Sequence, residues 1–246
     1  KKNIKLIIPT IDTELIALSK SRELFSLYGI EILVSDLFLI EKCLDKIETN
    51  LFFKSIKIDT PEIIDKNNLT FPCFMKPING NSSKGIKTIF SKDDLSKADL
   101  TKKDNIFQEL IEPSWTEFTL DLYFDKKSCL KACVPRKRLE VRNGEISKGL
   151  IKKEKFYKKI LSDFRNLNGA KGVITLQVFC NGNGENYKAI EINPRFGGGY
   201  PLSHMVGAKF PEMIIKEYIF GEEVPFNDNW TENSLLLRYD STHLVF

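Results

Sequence analysis

One stretch of this 246-residue chain has the composition of an anion-binding loop. Lys76 ends an apolar run and is followed by small polar residues, among them Ser82 and Ser83, between Gly80 and Gly85. Such a loop can turn several backbone N–H groups toward an anion, and the lysine adds a point charge beside it. No Gly-Lys-Ser/Thr motif opens a helix here, so this is not a Walker loop. The alternative interpretation is a surface hairpin that carries a lysine by chance.

A second stretch combines a carboxylate, an amide and an arginine at alternate positions. Glu191, Asn193 and Arg195 would point to one face of a strand, and Gln177, on the partner strand of a predicted hairpin, can join them. Carboxylate and amide oxygens suit Mg²⁺, and the arginine can bind a phosphoryl group while charge develops on it. The alternative is a salt-bridged sheet face. Pro194 disfavours it, because proline is hard to place inside a central strand and the strand must end at this polar cluster.

A third stretch could bind a purine nucleoside. The run Gln108, Glu109, Leu110 and Ile111 is an apolar strand end whose backbone could offer N–H and C=O groups to a purine edge. Glu117, a few residues later, could accept hydrogen bonds from ribose hydroxyls. A plain strand is the alternative for this segment taken alone.

The elements that must position these residues change in character along the chain. The opening predicts an α/β pattern, with strands at 5–8 and 30–34, a helix at about 12–28 capped by Asp12, and a helix from about Asp36. Helices are also predicted at about 153–167 and 211–220, and tight turns at 142–145 and 181–186. The further predicted strands are 71–75, 86–90, 106–111, 117–124, 128–134, 173–180, 187–192 and 234–239. The fold class is therefore α+β, with antiparallel sheet following an α/β remnant.

Composition excludes several classes of protein. A formal net charge of +4 is too small for a typical nucleic-acid binder. We interpret the lysines between 152 and 159 as the solvent-exposed face of an amphipathic helix. No apolar run is long enough to span a membrane. Five cysteines without a C-x-x-C motif, each among apolar neighbours, predict buried free thiols and a cytoplasmic protein. Because the chain opens at Lys1 rather than Met and runs almost at once into an apolar strand, we also expect natural sequence upstream.

In chain order these motifs resemble those of the ATP-grasp superfamily, and the resemblance covers nearly the whole chain. It implies an α+β ATP-grasp fold in which two β-rich lobes clamp ATP. The implied divisions are a truncated N-terminal α/β segment (1–44), a small lobe with the glycine loop (45–112) and a C-terminal lobe with the metal site (113–246). The chain is most similar to a single ATP-grasp unit of carbamoyl-phosphate synthetase large subunits, in the glutamine at the first metal position and in the basic stretch 135–142. That enzyme needs two such units, so this chain cannot be it.

The resemblance also implies a role for each motif. Arg195 would act at the transferred phosphate, and Arg138, with Arg142, would hold the substrate carboxylate or its acyl phosphate. A solvated hairpin is the alternative for those last two arginines. The implied metal ligands for Mg²⁺, with Mn²⁺ as the alternative ion, are Gln177, Glu191 and Asn193. The implied ATP-binding residues are Lys46, Lys76, Gly80, Ser82, Ser83, Gly85, Gln108, Glu109, Leu110, Ile111 and Glu117.

The implied activity is that of an ATP-dependent ligase. A small-molecule carboxylate would attack the γ-phosphorus to give an acyl phosphate, which an amine or a similar nucleophile then captures. Neither nucleic acid nor membrane is an expected partner, and association of copies into a homo-oligomer is left open. Two alternatives remain: a small-molecule kinase on the same scaffold, and a nucleotide-binding module without turnover.

Overall fold

The computed structural model describes residues 3–78, 85–96, 99, 104–142 and 145–239. Helices and mainly antiparallel sheets make an α+β fold. The helices of this part are α1 (Asp12–Lys20), α2 (Arg22–Ser26), α3 (Leu37–Leu44), α4 (Lys46–Ser55), α5 (Tyr157–Asp163), α6 (Tyr200–Met205) and α7 (Phe210–Tyr218), with a 3₁₀ turn at Lys92–Asp94. Its strands are β1 (Leu6–Ile7), β2 (Glu31–Ile32), β3 (Ile63–Ile64), β4 (Cys73–Pro77), β5 (Lys87–Ile89), β6 (Asn105–Glu109), β7 (Thr116–Phe124), β8 (Leu130–Arg142), β9 (Glu145–Ile151), β10 (Gly172–Cys180), β11 (Tyr187–Asn193) and β12 (Leu235–Leu237).

These strands form three sheets. Strands β1 and β2 make a small parallel pair near the N-terminus. A four-stranded antiparallel sheet has the order β3-β6-β4-β5, and a six-stranded antiparallel sheet has the order β11-β10-β7-β8-β9-β12. The two larger sheets come from successive parts of the chain, so any site between them draws on both.

The large sheet has one apolar face and one polar face. On β7, Phe118 and Leu120 belong to the main hydrophobic core, where the ring of Phe118 meets the ring of Phe156 edge-on at 5.2 Å. Because side chains alternate along a strand, Glu117 and Thr119 point to the opposite face. The sheet is therefore anchored on one side and presents polar groups on the other.

The N-terminal helices differ from the prediction. The predicted helix at 12–28 is broken at Ser21 into α1 and α2. Asp12 is not the N-cap, which is Ile11; its carboxylate is engaged elsewhere, as described below. Helix α4 was not predicted, yet Asp45 caps it by accepting hydrogen bonds from the backbone N–H groups of Ile47 (2.7 Å) and Glu48 (3.0 Å).

Other boundaries also differ. The predicted strand 128–134 continues to Arg142 as β8, and β9 pairs with it where only a turn was predicted. Of that turn, residues 143 and 144 lie outside the described part, while Arg142 does pair with Glu145. The helix predicted at 153–167 is shorter, at Tyr157–Asp163, and α6 lies in a segment for which no helix or strand was predicted.

Two predictions from composition can be compared with the structure. The five cysteines are free, but Cys43 and Cys129 are only half-buried, so the expectation that all are buried was wrong. Among the described residues, no helix is long and apolar enough to cross a membrane.

Candidate functional site

A cleft of about 670 Å³ is lined by residues from both large sheets. The four-stranded sheet contributes Phe74, Lys76 and Thr88, which alternate with residues pointing away from the cleft. The polar face of the six-stranded sheet supplies the opposite wall. The predicted site residues in this lining are Lys46, Lys76, Gln108, Glu109, Leu110, Ile111, Glu117, Arg138, Gln177, Glu191, Asn193 and Arg195.

The glycine loop is only partly described. Gly80, Ser82 and Ser83 lie outside the described residues. Gly85 has a φ of +75°, and a Cβ there would lie 3.1 Å from the Cγ of Pro77, a cleft residue. Both the backbone conformation and the space therefore favour glycine at this position.

Strand pairing brings the predicted metal ligands together. Gln177 of β10 lies directly opposite Glu191 of β11, and Thr175 lies opposite Asn193 two pairs further along, on the same face. Asn193 Nδ2 donates to Glu191 Oε1 at 3.0 Å, which leaves the amide oxygen of Asn193 and the second carboxylate oxygen of Glu191 for other partners. Among the described residues no three His, Cys, Asp or Glu side chains cluster as a metal site. This set of one carboxylate and two amides fits Mg²⁺ only where phosphate oxygens complete the coordination.

Lysines from two elements face this cluster. Lys46, in the first turn of α4, donates to the carbonyl oxygen of Ile78 at 3.1 Å. Burial lowers the pKa of Lys76 to about 8; the negative charge of Glu191 opposes the shift, and the positive charge of Lys46 adds to it. Lys76 is therefore within electrostatic reach of the other sheet, so the two sheets share one electrostatic site.

This lowered pKa predicts a pH dependence of nucleotide binding. Phosphate groups favour the charged ammonium, so above pH 8 the Lys76 amine must take up a proton as ATP binds. From pH 7 to pH 9 we expect the affinity for ATP to fall about tenfold, measured by titration calorimetry. Lys76→Arg, which stays charged in this range, should flatten the profile. Identical profiles for the two proteins would contradict the prediction.

The predicted purine-binding segment lies where β6 ends. Leu110 and Ile111 follow the last residue of β6 and line the cleft, outside the ladder with β4. The carboxylate of Glu109 pairs with Lys188 and accepts from the backbone N–H of Glu62 at 3.1 Å. Burial would raise the pKa of Glu109, but these two partners hold it below its ordinary value. The side chain of Glu109 thus ties the small sheet to β11, and the backbone beyond it remains as the purine-binding candidate.

Glu117 and Arg138 form an ion pair inside the cleft. Arg138 Nη1 lies 3.3 Å from Glu117 Oε1 and donates to Thr119 Oγ1 at 3.5 Å. Burial raises the pKa of Glu117, Arg138 opposes that rise, and Glu191 adds to it. Arg142 is exposed, pairs with Glu140 at 2.8 Å and does not line the cleft, which favours the alternative of a solvated hairpin for this residue. Its side chain lies on the solvent side of the long β8–β9 hairpin.

Arg195 is held by a residue that sequence reasoning did not connect with it. Its Nε and Nη2 donate to the two carboxylate oxygens of Asp12 at 2.8 and 2.7 Å, and its Nη1 donates to the carbonyl oxygen of Phe196 at 3.0 Å. The two partners are 183 positions apart, so no motif spacing could have revealed the pair. The first turn of α1 therefore orients the predicted phosphate-binding arginine.

One fully buried arginine of the cleft, Arg136, was missed by sequence reasoning. Arg136 Nε and Nη2 donate to the two oxygens of Asp121 at 3.0 and 2.9 Å, and Ser203 Oγ donates to the same carboxylate at 2.5 Å. Arg136 lines the cleft together with Gly199. Its position two residues before Arg138 was a usable signal, because both must point to one face of β8.

Comparison with known proteins identifies the family to which this architecture belongs. Residues 43–199 match a family model described as an ATP-grasp domain. The chain therefore belongs to the ATP-grasp family, in agreement with its α+β fold and its cleft between two sheets. No curated protein sequence matches the chain significantly.

Solved structures resemble it in fold at low identity. The biotin carboxylase domain dimer of Hydrogenobacter thermophilus 2-oxoglutarate carboxylase, in complex with MgADP, ADP and bicarbonate, has a TM-score of 0.74 at 15% identity, over 94% of this chain and 57% of that one. N5-carboxyaminoimidazole synthetase from Staphylococcus aureus, complexed with ADP, has 0.69 at 17%, over 95% and 63%. An L-amino acid ligase from Bacillus licheniformis has 0.61 at 16%, over 85% and 54%. The chain thus spans less than two thirds of each of these proteins.

Proposed function

We propose that this protein is an ATP- and Mg²⁺-dependent ligase that activates a carboxylate as an acyl phosphate for attack by an amine. The observation that carries the proposal is the register of β10 and β11, which sets Gln177 against Glu191 within electrostatic reach of Lys76. Such an arrangement suits a metal-bound triphosphate held between two β-layers. The similar structures support it: two are described as ADP complexes, one also holds bicarbonate, and the third is an L-amino acid ligase.

Each part of the cleft then has a distinct task. Lys46 and Lys76 bind phosphate oxygens, and the backbone at Leu110 and Ile111 binds the purine. Glu117 accepts hydrogen bonds from the ribose. Magnesium, held by Gln177, Glu191 and Asn193, would neutralise phosphate charge and fix the phosphate geometry when bound.

The reaction needs positioning and electrostatics but no protein nucleophile. A substrate carboxylate oxygen bonds to the γ-phosphorus while the bond from that phosphorus to the ADP oxygen breaks, which gives an acyl phosphate and ADP. The amine nitrogen then bonds to the acyl carbon, phosphate leaves, and the nitrogen loses a proton to solvent. Arg195 stabilises the charge that spreads over the transferred group. The side chains supply alignment, which accounts for much of the acceleration in such reactions.

A product analysis tests this proposal. The full-length protein is screened for ADP release with MgATP against paired carboxylates and amines. We expect ADP release that requires the carboxylate, with phosphate and an amide as the other products. A stable phosphoester would instead indicate the kinase alternative. Nucleotide binding without ADP release for any pair would indicate a binding module.

The metal assignment predicts a specific loss in Glu191→Ala. Without the carboxylate, the gain in ATP affinity caused by Mg²⁺ should shrink at least about tenfold, since even residues behind metal ligands contribute that much. In the absence of metal the variant should bind ATP no worse than the wild type, because a negative charge has been removed from the phosphate site. Titrations with and without Mg²⁺ measure both effects.

The matched control for this experiment is Glu222→Ala, an exposed glutamate that is not a cleft residue. It should keep the full Mg²⁺ effect. A wild-type protein that binds ATP equally with and without Mg²⁺ would rule out the metal site.

A further inference from the structure

We propose that Arg136 binds the carboxylate of the acid substrate, and that Val141 and Ile146 form an aliphatic wall that selects an acid with a branched apolar group. This inference rests on the proposed ligase function and adds the substrate class and the residue that recognises it. The three residues lie on strands β8 and β9, which are two and three strands away from β10, the strand that carries Gln177.

Arg136 has a donor left over that faces the cleft. Its side chain is 1% exposed, and Asp121 occupies Nε and one N–H of Nη2. Among the described residues Nη1 has no hydrogen-bond acceptor, although Arg136 lines the cleft. Arg136 Nη1 is not among the fully buried atoms that lack a partner, so this donor is open to the cleft, where an anionic oxygen can accept a charge-assisted hydrogen bond from it. Because Ser203 also bonds Asp121, the guanidinium is held in one orientation before substrate arrives.

Gly199 packs against this donor and lies close to Arg195 in the chain. A Cβ at Gly199 would lie 1.6 Å from Arg136 Nη1 and 2.8 Å from Ile146 Cγ2, so only glycine fits at this position. The glycine follows Arg195 by four residues, a span of at most about 14 Å even when extended. Arg136 and Arg195 therefore line the same part of the cleft, joined by a short glycine-rich segment.

The wall beside Arg136 is aliphatic. Val141 and Ile146 are paired directly across β8 and β9, and both line the cleft. Val141 is 40% exposed while Ile146 is 5% exposed, so the pair offers one fixed and one open apolar surface. Burying aliphatic carbon against it is favourable, by about 0.8 kcal/mol per buried CH₂ in general terms. Gly199 packs against Ile146, so the aliphatic wall and Arg136 border the same glycine-rich segment of the cleft.

The other two arginines of the cleft are less suited to bind this carboxylate. Arg138 is paired with Glu117, the predicted ribose ligand, and Arg195 is paired with both oxygens of Asp12. Arg136 is also paired, but its partner leaves Nη1 directed at Gly199 and the cleft.

Binding measurements on the full-length protein test the inference. The protein is saturated with Mg²⁺ and the non-hydrolysable analogue AMP-PNP and is then titrated calorimetrically with 3-methylbutanoate, acetate and 3-methylbutanamide. We expect 3-methylbutanoate to bind at least about tenfold more tightly than acetate, and no heat from the neutral amide, because it lacks the charge that the guanidinium favours. Equal binding of the acid and its amide, or no binding of the acid, would overturn the inference.

Two variants test separately the carboxylate-binding role of Arg136 and the selective role of the aliphatic wall. Arg136→Lys keeps a charge beside Asp121 but loses the guanidinium fork, so it should weaken 3-methylbutanoate at least about tenfold and leave AMP-PNP affinity within about twofold. Arg165→Lys, at an exposed arginine outside the cleft, should change neither. Val141→Ser should reduce the preference for 3-methylbutanoate over acetate and keep the preference for acid over amide. Unchanged acid binding in Arg136→Lys, or unchanged selectivity in Val141→Ser, would refute the proposed substrate site. If Arg136→Lys fails to fold, the selectivity of Val141→Ser still tests the proposal.

The result is distinguishable from failure of the ligase proposal. If ADP release depends on acids of another class and 3-methylbutanoate does not bind, the ligase stands and this inference falls. If 3-methylbutanoate binds through Arg136 but no acid supports ADP release, the anion subsite stands and the ligase proposal falls.

Discussion

Arg195→Ala is expected to lower the turnover of ADP release by about 10²–10³-fold, the usual effect of removing one electrostatic stabiliser of a transition state. ATP affinity should change little, because Lys46, Lys76 and the metal ligands still bind the ground-state nucleotide. The measurement is a comparison of kcat with the Kd for ATP in the full-length protein. An effect on kcat alone would mean that the guanidinium acts on the charge that develops during phosphoryl transfer.

The control for this prediction is Asp12→Asn. It removes the bidentate ion pair that orients Arg195 and leaves the guanidinium itself in place. If Arg195 mainly attaches helix α1 to the sheet, the two variants should lose activity equally. If it acts on the transferred phosphate, Asp12→Asn should lose much less than Arg195→Ala. Full turnover in Arg195→Ala would remove the residue from the mechanism.

Asp121→Ala is expected to lower the free energy of unfolding by about 3–5 kcal/mol, because it leaves the charge of Arg136 buried without a partner. The side chains of this pair are 0% and 1% exposed, and Ser203 loses its acceptor as well. Thermal or denaturant unfolding measures the loss. For a chain of this length each kcal/mol corresponds to about 2–4 °C in Tm.

Two further variants show whether the loss comes from the unpaired charge. Glu223→Ala breaks an exposed ion pair with Lys127 and should leave unfolding nearly unchanged. The double variant Asp121→Leu with Arg136→Met replaces the pair by apolar groups and should recover much of the stability, since a buried ion pair is often no better than well-packed apolar side chains. An Asp121→Ala protein as stable as Glu223→Ala would contradict the explanation.

Local patterns in the sequence predicted much of the candidate site. Glu191, Asn193 and Gln177 face one way because side chains alternate along a strand and because a short turn joins β10 to β11. The strand predicted at 106–111 is present as β6 but ends at Glu109, so Leu110 and Ile111 lie beyond it. Helix α4, strand β9 and helix α6 were missed, because each is short and its formation depends on packing more than on its own periodicity.

By itself the sequence determined which side chains share a strand face and which strands form a hairpin, because these follow from the two-residue repeat of a strand and from turn residues close in the chain. Only the tertiary structure decided that Asp12 orients Arg195, that Asp121 and Ser203 hold Arg136, and that Glu109 joins the two sheets through Lys188. The positions in these contacts are far apart in sequence. They meet only because the sheets and α1 pack against one another, and a local pattern carries no information about such packing.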